Sequence, residues 1–202
     1  MLKKIKLFFK MARIVKNWSV IPKVYFGLYK NEFYYIELKK GIKIKLRNKS
    51  TDLQAFANVW INEEYKKQDF IIHDNNCVID IGGHIGLFTI FASQFCKNGR
   101  IITFEPVNEN FLILKNKIKI NKINNVKIFN KAVSDKNGMV TMYYNNKDHA
   151  AHSLIHKQNK EIKIESITLE KIFKMENIKT CNYLKLDCEG SEFMILENLS
   201  TN

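Results

Sequence analysis

Asp80-Ile81-Gly82-Gly83-His84-Ile85-Gly86 is the stretch whose residue types and spacing are best suited to hold a ligand. It follows the apolar run Val78-Ile79 and precedes Leu87, Ile90, Phe91 and Phe95 at helical spacing, so a buried strand enters a glycine turn and then a helix. Glycine tolerates positive φ and lets the backbone close on a ligand. The helix that follows offers unpaired N–H groups to a carboxylate or phosphate. Glu105 stands 25 residues after Asp80, at the predicted tip of the next strand. A carboxylate there can accept both ribose hydroxyls of a nucleoside.

The spacing separates two ligand classes. A dinucleotide fingerprint starting at Gly82 needs glycine at position 84 and glycine or alanine at 87, whereas the chain has His84 and Leu87. That disfavours an NAD-dependent oxidoreductase. An acidic residue at the strand end, with Gly82 and Gly86 beyond it, suits a ligand carrying an ammonium and a sulfonium. The bland alternative is a tight turn in an α/β domain with no ligand. Asp187 and Glu189 follow another apolar strand, Tyr183 to Leu186. Paired carboxylates can take a proton or orient substrate hydroxyls; equally, Asp187 can cap the next helix and Glu189 face solvent.

The elements that must position these groups alternate. Phe33 to Leu38 and Ile42 to Leu46 read as a hairpin around Lys39-Lys40-Gly41. Asp52 to Tyr65 reads as a helix capped by Ser50, Thr51 or Asp52. From residue 70 strands alternate with helices: strands at Val78–Ile81, Arg100–Glu105, Val126–Phe129 and Tyr183–Leu186, helices after Gly86 and over Glu109–Asn121. A hairpin is expected around Lys136-Asn137-Gly138, followed by a polar stretch and an Ile164–Phe173 segment. The fold class is α/β, a Rossmann-like doubly wound and mostly parallel sheet. Residues 1–69 form a basic N-terminal helix, hairpin and lead-in helix, and 70–202 the ligand-binding domain.

Composition narrows the partners. With 46% hydrophobic residues the chain folds as a globule. The formal charge of +13 comes mostly from scattered lysines, with arginine only at Arg13, Arg47 and Arg100. Nucleic-acid binding is therefore not expected. Every charged residue before Glu32 is basic, and Leu2, Ile5, Phe8, Phe9, Ala12 and Val15 fall near helical spacing. Such a helix either makes a peripheral membrane contact or docks on the domain. No apolar run reaches the ~18 residues of a membrane span. Cys77, Cys96, Cys181 and Cys188 show no metal or disulfide spacing and read as the reduced thiols of a cytoplasmic protein. His149, His152 and His156 share helical spacing but lie in a polar stretch, so no metal is expected.

At this point the chain resembles the FkbM family of methyltransferases. The resemblance rests on Val78-Ile79-Asp80-Ile81-Gly82-Gly83-His84-Ile85-Gly86-Leu87-Phe88-Thr89 and Phe104-Glu105-Pro106-Val107-Asn108-Glu109-Asn110-Phe111. It extends to Lys131-Ala132-Val133-Ser134-Asp135, to Leu184-Lys185-Leu186-Asp187-Cys188-Glu189-Gly190-Ser191-Glu192, and upstream to Thr51-Asp52-Leu53 and Glu63-Glu64-Tyr65. It implies S-adenosylmethionine-dependent O-methylation, often of sugar hydroxyls in metabolites or surface glycans. By resemblance Asp80, Gly82, Gly83, His84 and Gly86 form the methionine end of the cofactor site, Glu105 takes the ribose, and Ala132, Val133 and Ser134 approach the adenine. Asp187 and Glu189 are the catalytic candidates, with His152 as an alternative base. His84 stands where the family commonly has asparagine. Family members also continue beyond the helix that follows the fourth strand. The resemblance thus implies a C-terminally truncated chain, either an inactive or partner-dependent cofactor-binding fragment or one whose sheet another polypeptide completes.

Overall fold

The computed structural model describes residues 2–66, 70–144, 152–153, 160–188 and 190–197. Helices α1 (Leu2–Ile14) and α2 (Val20–Tyr25) lead into an antiparallel hairpin of β1 (Phe33–Glu37) and β2 (Lys43–Arg47), registered Phe33 opposite Arg47. Met11 of α1 and Val15 just past its end are buried, and Val15 bridges to Leu38 of the hairpin, while Phe9 of the same expected stripe stays exposed. Helix α3 (Asp52–Phe56) continues as a π turn over Ala57–Ile61 and stops there, short of Tyr65. The expected cap is only partly right. Thr51 occupies the cap position without a side-chain bond, while Ser50 Oγ accepts from the Asp52 N–H.

Next come β3 (Cys77–Ile81), α4 (Leu87–Ala92), β4 (Arg100–Phe104), α5 (Asn108–Ile120) and β5 (Val126–Phe129). They continue with β6 (Ala132–Val133), β7 (Gly138–Tyr144), β8 (His152–Ser153), β9 (Lys160–Ile167), α6 (Leu169–Met175), β10 (Tyr183–Leu186) and α7 (Glu192–Glu197). The parallel sheet has the order β10-β3-β4-β5. β3 is buried along its whole length, because both faces of the sheet are covered. One face, Val78 and Ile101, packs under Phe88, Ala92 and Cys96. The other, Ile79, Ile81, Ile102 and Phe104, packs under Leu169, Ile172 and Ile195.

Two expectations around the second sheet are corrected. Lys136-Asn137-Gly138 does not close a hairpin between its flanking strands: β6 pairs in parallel with β9, and β7 lies on the other side of β9, in the order β6-β9-β7-β8. The turn crosses over a strand that comes some 20 residues later, and no local pattern signals that pairing. The Ile164–Phe173 segment is split at Thr168, whose hydroxyl accepts the Lys171 N–H and starts α6. The helix after the glycine turn ends at Ala92, earlier than Asn98. The N-terminal elements do not form a separate core. Tyr34, Ile36, Leu46 and Phe56 pack in one cluster with Ile85, Leu87, Ile90 and Ile113.

Candidate functional site

The C-terminal ends of β3, β4 and β10 point to one side of the parallel sheet, where such folds bind ligands. The chain turns sharply after β3, with φ of +76° at Gly82, +49° at His84 and +83° at Gly86. The N–H groups of Gly82 and Gly83 both donate to the Phe104 carbonyl, at 3.0 and 2.9 Å, which ties the turn to the end of β4. A Cβ on Gly82 would lie 1.9 Å from the Asp187 carbonyl oxygen. Only glycine lets the β3 turn and the end of β10 come this close.

A cleft of about 230 Å³ opens beside this turn. Of the residues expected to bind cofactor or act in catalysis, Gly82, His84, Glu105, Ala132, Val133 and Asp187 line it. Asp80, Gly83, Gly86 and Ser134 are not among its lining residues. Ser134 is buried and its hydroxyl bonds to Ser166 Oγ at 2.6 Å. Glu189 lies outside the described residues. The backbone of His152 sits in β8 opposite Tyr144, on the outer strand of the second sheet. Among the described residues no cluster of His, Cys, Asp and Glu has the arrangement of a metal site.

Asp80 faces inward. Lys185, Asp80 and Thr103 share one row across β10, β3 and β4. Asp80 is fully buried; its carboxylate accepts the Thr89 hydroxyl at 2.6 Å and pairs with the Lys185 ammonium at 3.1 Å. Lys185 also donates to the Gly82 carbonyl at 3.1 Å and lies 3.6 Å from Asp187. Burial opposes the ammonium charge, but Asp80 and Asp187 outweigh it and hold Lys185 above the usual lysine range. Lys185 is thus the link between Asp80, the turn and the half-exposed Asp187.

Glu105 is 4% exposed and sits at the tip of β4. Its oxygens accept the His84 N–H at 2.7 Å and the Val107 N–H at 2.8 Å. Burial pushes its carboxyl up to about 7, against those two N–H bonds and the Asn110 amide, with the Asp80 charge adding to the rise. The group therefore gains and loses its proton near neutrality, so a ligand donating hydroxyl hydrogens favours the ionised form.

Sequence reasoning missed a buried network behind the cleft. Arg47, at the end of β2, grips both oxygens of Asp52 at 3.1 and 2.9 Å and donates to Asn110 Oδ1 at 3.0 Å. Its Nη2 lies 3.0 Å from His84 Nε2. A guanidinium can only donate, so His84 Nε2 accepts and the ring proton sits on Nδ1. Burial works against the Asp52 charge, yet Arg47 holds its carboxyl below the usual range. Lys117 of α5 is fully buried and donates to the Ile85 carbonyl at 2.6 Å; burial lowers it well below the ordinary lysine value. An isolated arginine after a hairpin strand carries no local signal of these contacts, which span up to 63 positions. Thr51, Ala55 and Met142 of the cleft wall were missed for the same reason.

Comparison with known proteins adds to this geometry. The model of the methyltransferase FkbM domain matches residues 80–202. "Methyltransferase 1" of Beauveria bassiana (strain ARSEF 2860) is 22% identical over 147 residues, covering 62% of this chain and 59% of that protein. Among solved structures, methyltransferase FkbM from Methylobacillus flagellatus KT aligns with a TM-score of 0.47 at 17% identity, over 71% of this chain and 32% of that one. M. jannaschii TYW2, solved in complex with AdoMet, aligns with a TM-score of 0.38 at 28% identity, over 50% of this chain and 44% of that one. The chain thus spans 59% of that curated relative and about a third of the solved FkbM protein.

Proposed function

Because the chain belongs to the FkbM methyltransferase family, we propose that its cleft binds S-adenosylmethionine and that the protein methylates a hydroxyl, on a sugar of a glycan or glycosylated metabolite. The observation that carries the reading is Glu105, a buried carboxylate at the tip of β4 that lines the cleft beside the glycine turn. The residues present fit the cofactor. Glu105 would accept the ribose hydroxyls, while Ala132 and Val133 offer an apolar wall to the adenine. Gly82 and His84 border the methionine end. Asp80 acts on the turn through Lys185 rather than by touching the cofactor.

When bound, S-adenosylmethionine supplies an electrophilic methyl group on its sulfonium. The chain's own residues would hold an acceptor hydroxyl in the cleft beside Gly82 and Asp187. The hydroxyl proton then needs a base. Asp187 is the candidate, since its side chain is 58% exposed at the cleft and Lys185 keeps it in place. Glu189 and His152 remain the alternative bases carried by the family resemblance. The acceptor is a small molecule or glycan rather than a nucleic acid, and the free thiols fit a cytoplasmic setting.

Isothermal titration with S-adenosylmethionine and S-adenosylhomocysteine tests the cofactor assignment. We expect micromolar binding that Glu105→Gln weakens by about tenfold to a hundredfold, the cost of losing charged hydrogen bonds. A folded chain that binds neither compound removes the reading. Binding that Glu105→Gln leaves untouched removes Glu105 from the ribose site.

A further inference from the structure

The surface built by α1, α2 and the turn after them is apolar and basic at once. The inner side of this segment is spent on the core through Met11, Val15 and Ile21. Its outer side leaves large apolar groups in solvent: Phe9 at 62%, Tyr25 at 59%, and Phe26 and Leu28 at 70% exposure. Trp18 joins them, because the Phe8 ring touches both Phe9 and Trp18, at 5.9 and 5.8 Å between centroids. Trp18, Pro22 and Tyr25 fall at i, i+4 and i+7, so they share one side of α2 and its lead-in.

The exposed turn is held in shape. The Phe26 and Leu28 N–H groups donate to the carbonyls of Pro22 and Lys23, and Asn48 Nδ2 holds the carbonyls of Tyr29 and Asn31 at 2.8 and 3.1 Å. Asn48 directly follows Arg47, so the apolar tip is anchored to the strand end that reaches the cleft. Lys6, Lys10, Arg13, Lys23 and Lys30 are exposed around it, and no carboxylate precedes Glu32.

We propose that this surface docks on an anionic lipid bilayer, with Phe26, Leu28 and the neighbouring aromatic rings in the interface and the lysines against the headgroups. Aromatic and leucine side chains gain from leaving water at the acyl boundary. Lysines reach the anionic headgroups on flexible stems. The charge selects an anionic surface. The exposed apolar side chains, the aliphatic Leu28 among them, distinguish a bilayer from a nucleic-acid duplex, whose backbone calls for charge and hydrogen bonds. The pre-shaped turn lowers the ordering cost of insertion.

Sedimentation of the full chain with vesicles tests this, using phosphatidylcholine alone and an equimolar mixture with phosphatidylglycerol. We expect uptake by the anionic vesicles only, falling as salt is raised. Phe26→Ser with Leu28→Ser should reduce it about tenfold or more, and Lys23→Glu with Lys30→Glu should reduce it similarly. All four positions are exposed, so the variants should melt like the parent chain. Equal uptake by neutral vesicles, no uptake, or undiminished uptake by the Phe26/Leu28 variant overturns the proposal. So does self-association without lipid that the same variant abolishes, which would assign the surface to a second copy. Binding of a DNA duplex in place of vesicles overturns it likewise.

Discussion

Gly82 and Asp187 meet where β3 and β10 end, and they separate two kinds of residue requirement. Gly82 is needed for shape. Its φ of +76° disfavours a side chain, and the Asp187 carbonyl oxygen 1.9 Å from a would-be Cβ belongs to the backbone and cannot swing aside. Gly82→Ala should cost about 2–4 kcal/mol in urea unfolding and weaken cofactor binding with it. An unchanged midpoint would show that the two strand ends can part freely. Asp187 is needed for chemistry in the proposed reaction. Asp187→Asn keeps size and polarity and should lower turnover by about 10²-fold or more, leaving S-adenosylmethionine affinity within about threefold. A variant that methylates a glycan acceptor at the parental rate would pass the role of base to Glu189 or His152.

At the scale of elements, the unit that matters is the hairpin with α3. β2 delivers Arg47, and α3 begins with the carboxylate that Arg47 holds; the two side chains are 6% and 0% exposed. Their pairing fixes the hairpin against α5 through Asn110 and against the glycine turn through His84. Arg47→Met leaves Asp52 buried without its counter-charge and should cost about 3–5 kcal/mol, whereas Arg47→Met with Asp52→Leu should recover most of that stability. If S-adenosylmethionine affinity stays low in the re-stabilised double variant, the network positions His84 and is not only a fold-wide support. Full recovery of affinity would make it a support alone. Thermal melts and titrations of the same samples read both quantities.

For the whole molecule, the buried Glu105 couples stability to pH. Its carboxyl sits at about 7 in the fold, against the ordinary glutamate value of 4.5 that the unfolded chain takes up. Below about 4.5 both states carry the proton and its contribution is fully present. As pH rises toward 7 the unfolded chain gains by ionising first, so folded stability falls, by about 3 kcal/mol once both states are ionised. The unliganded protein should therefore lose stability across this window from Glu105, and Glu105→Gln should flatten that part of the profile. Cofactor affinity runs the other way and should rise with pH up to about 7, because ribose hydroxyls donate to the carboxylate. A Glu105→Gln profile identical to the parent's would refute the coupling. Titrations in buffers spanning this range measure both trends.

The local chemistry of the chain was enough to determine the alternation of β3, α4, β4, α5 and β5, the strand β10, the glycine turn, and Glu105 beside it. Each rests on a short-range signal: the fully apolar run of β3, helical spacing after Gly86, a proline that ends β4 at Glu105. Asp187 was legible at the end of its strand, whereas Ala132 and Val133, which also line the cleft, were implied only by the family resemblance. The tertiary structure alone decided that Asp80 turns inward to Lys185, that β6 and β7 straddle β9, and that Arg47 reaches His84 across 37 positions. A carboxylate at a strand end has two directions to face, and only the strand beside it sets which one. Pairing partners far apart in the chain leave no trace in hydrophobic periodicity. The site is therefore written locally in its backbone turn and globally in the buried charges that hold that turn in place.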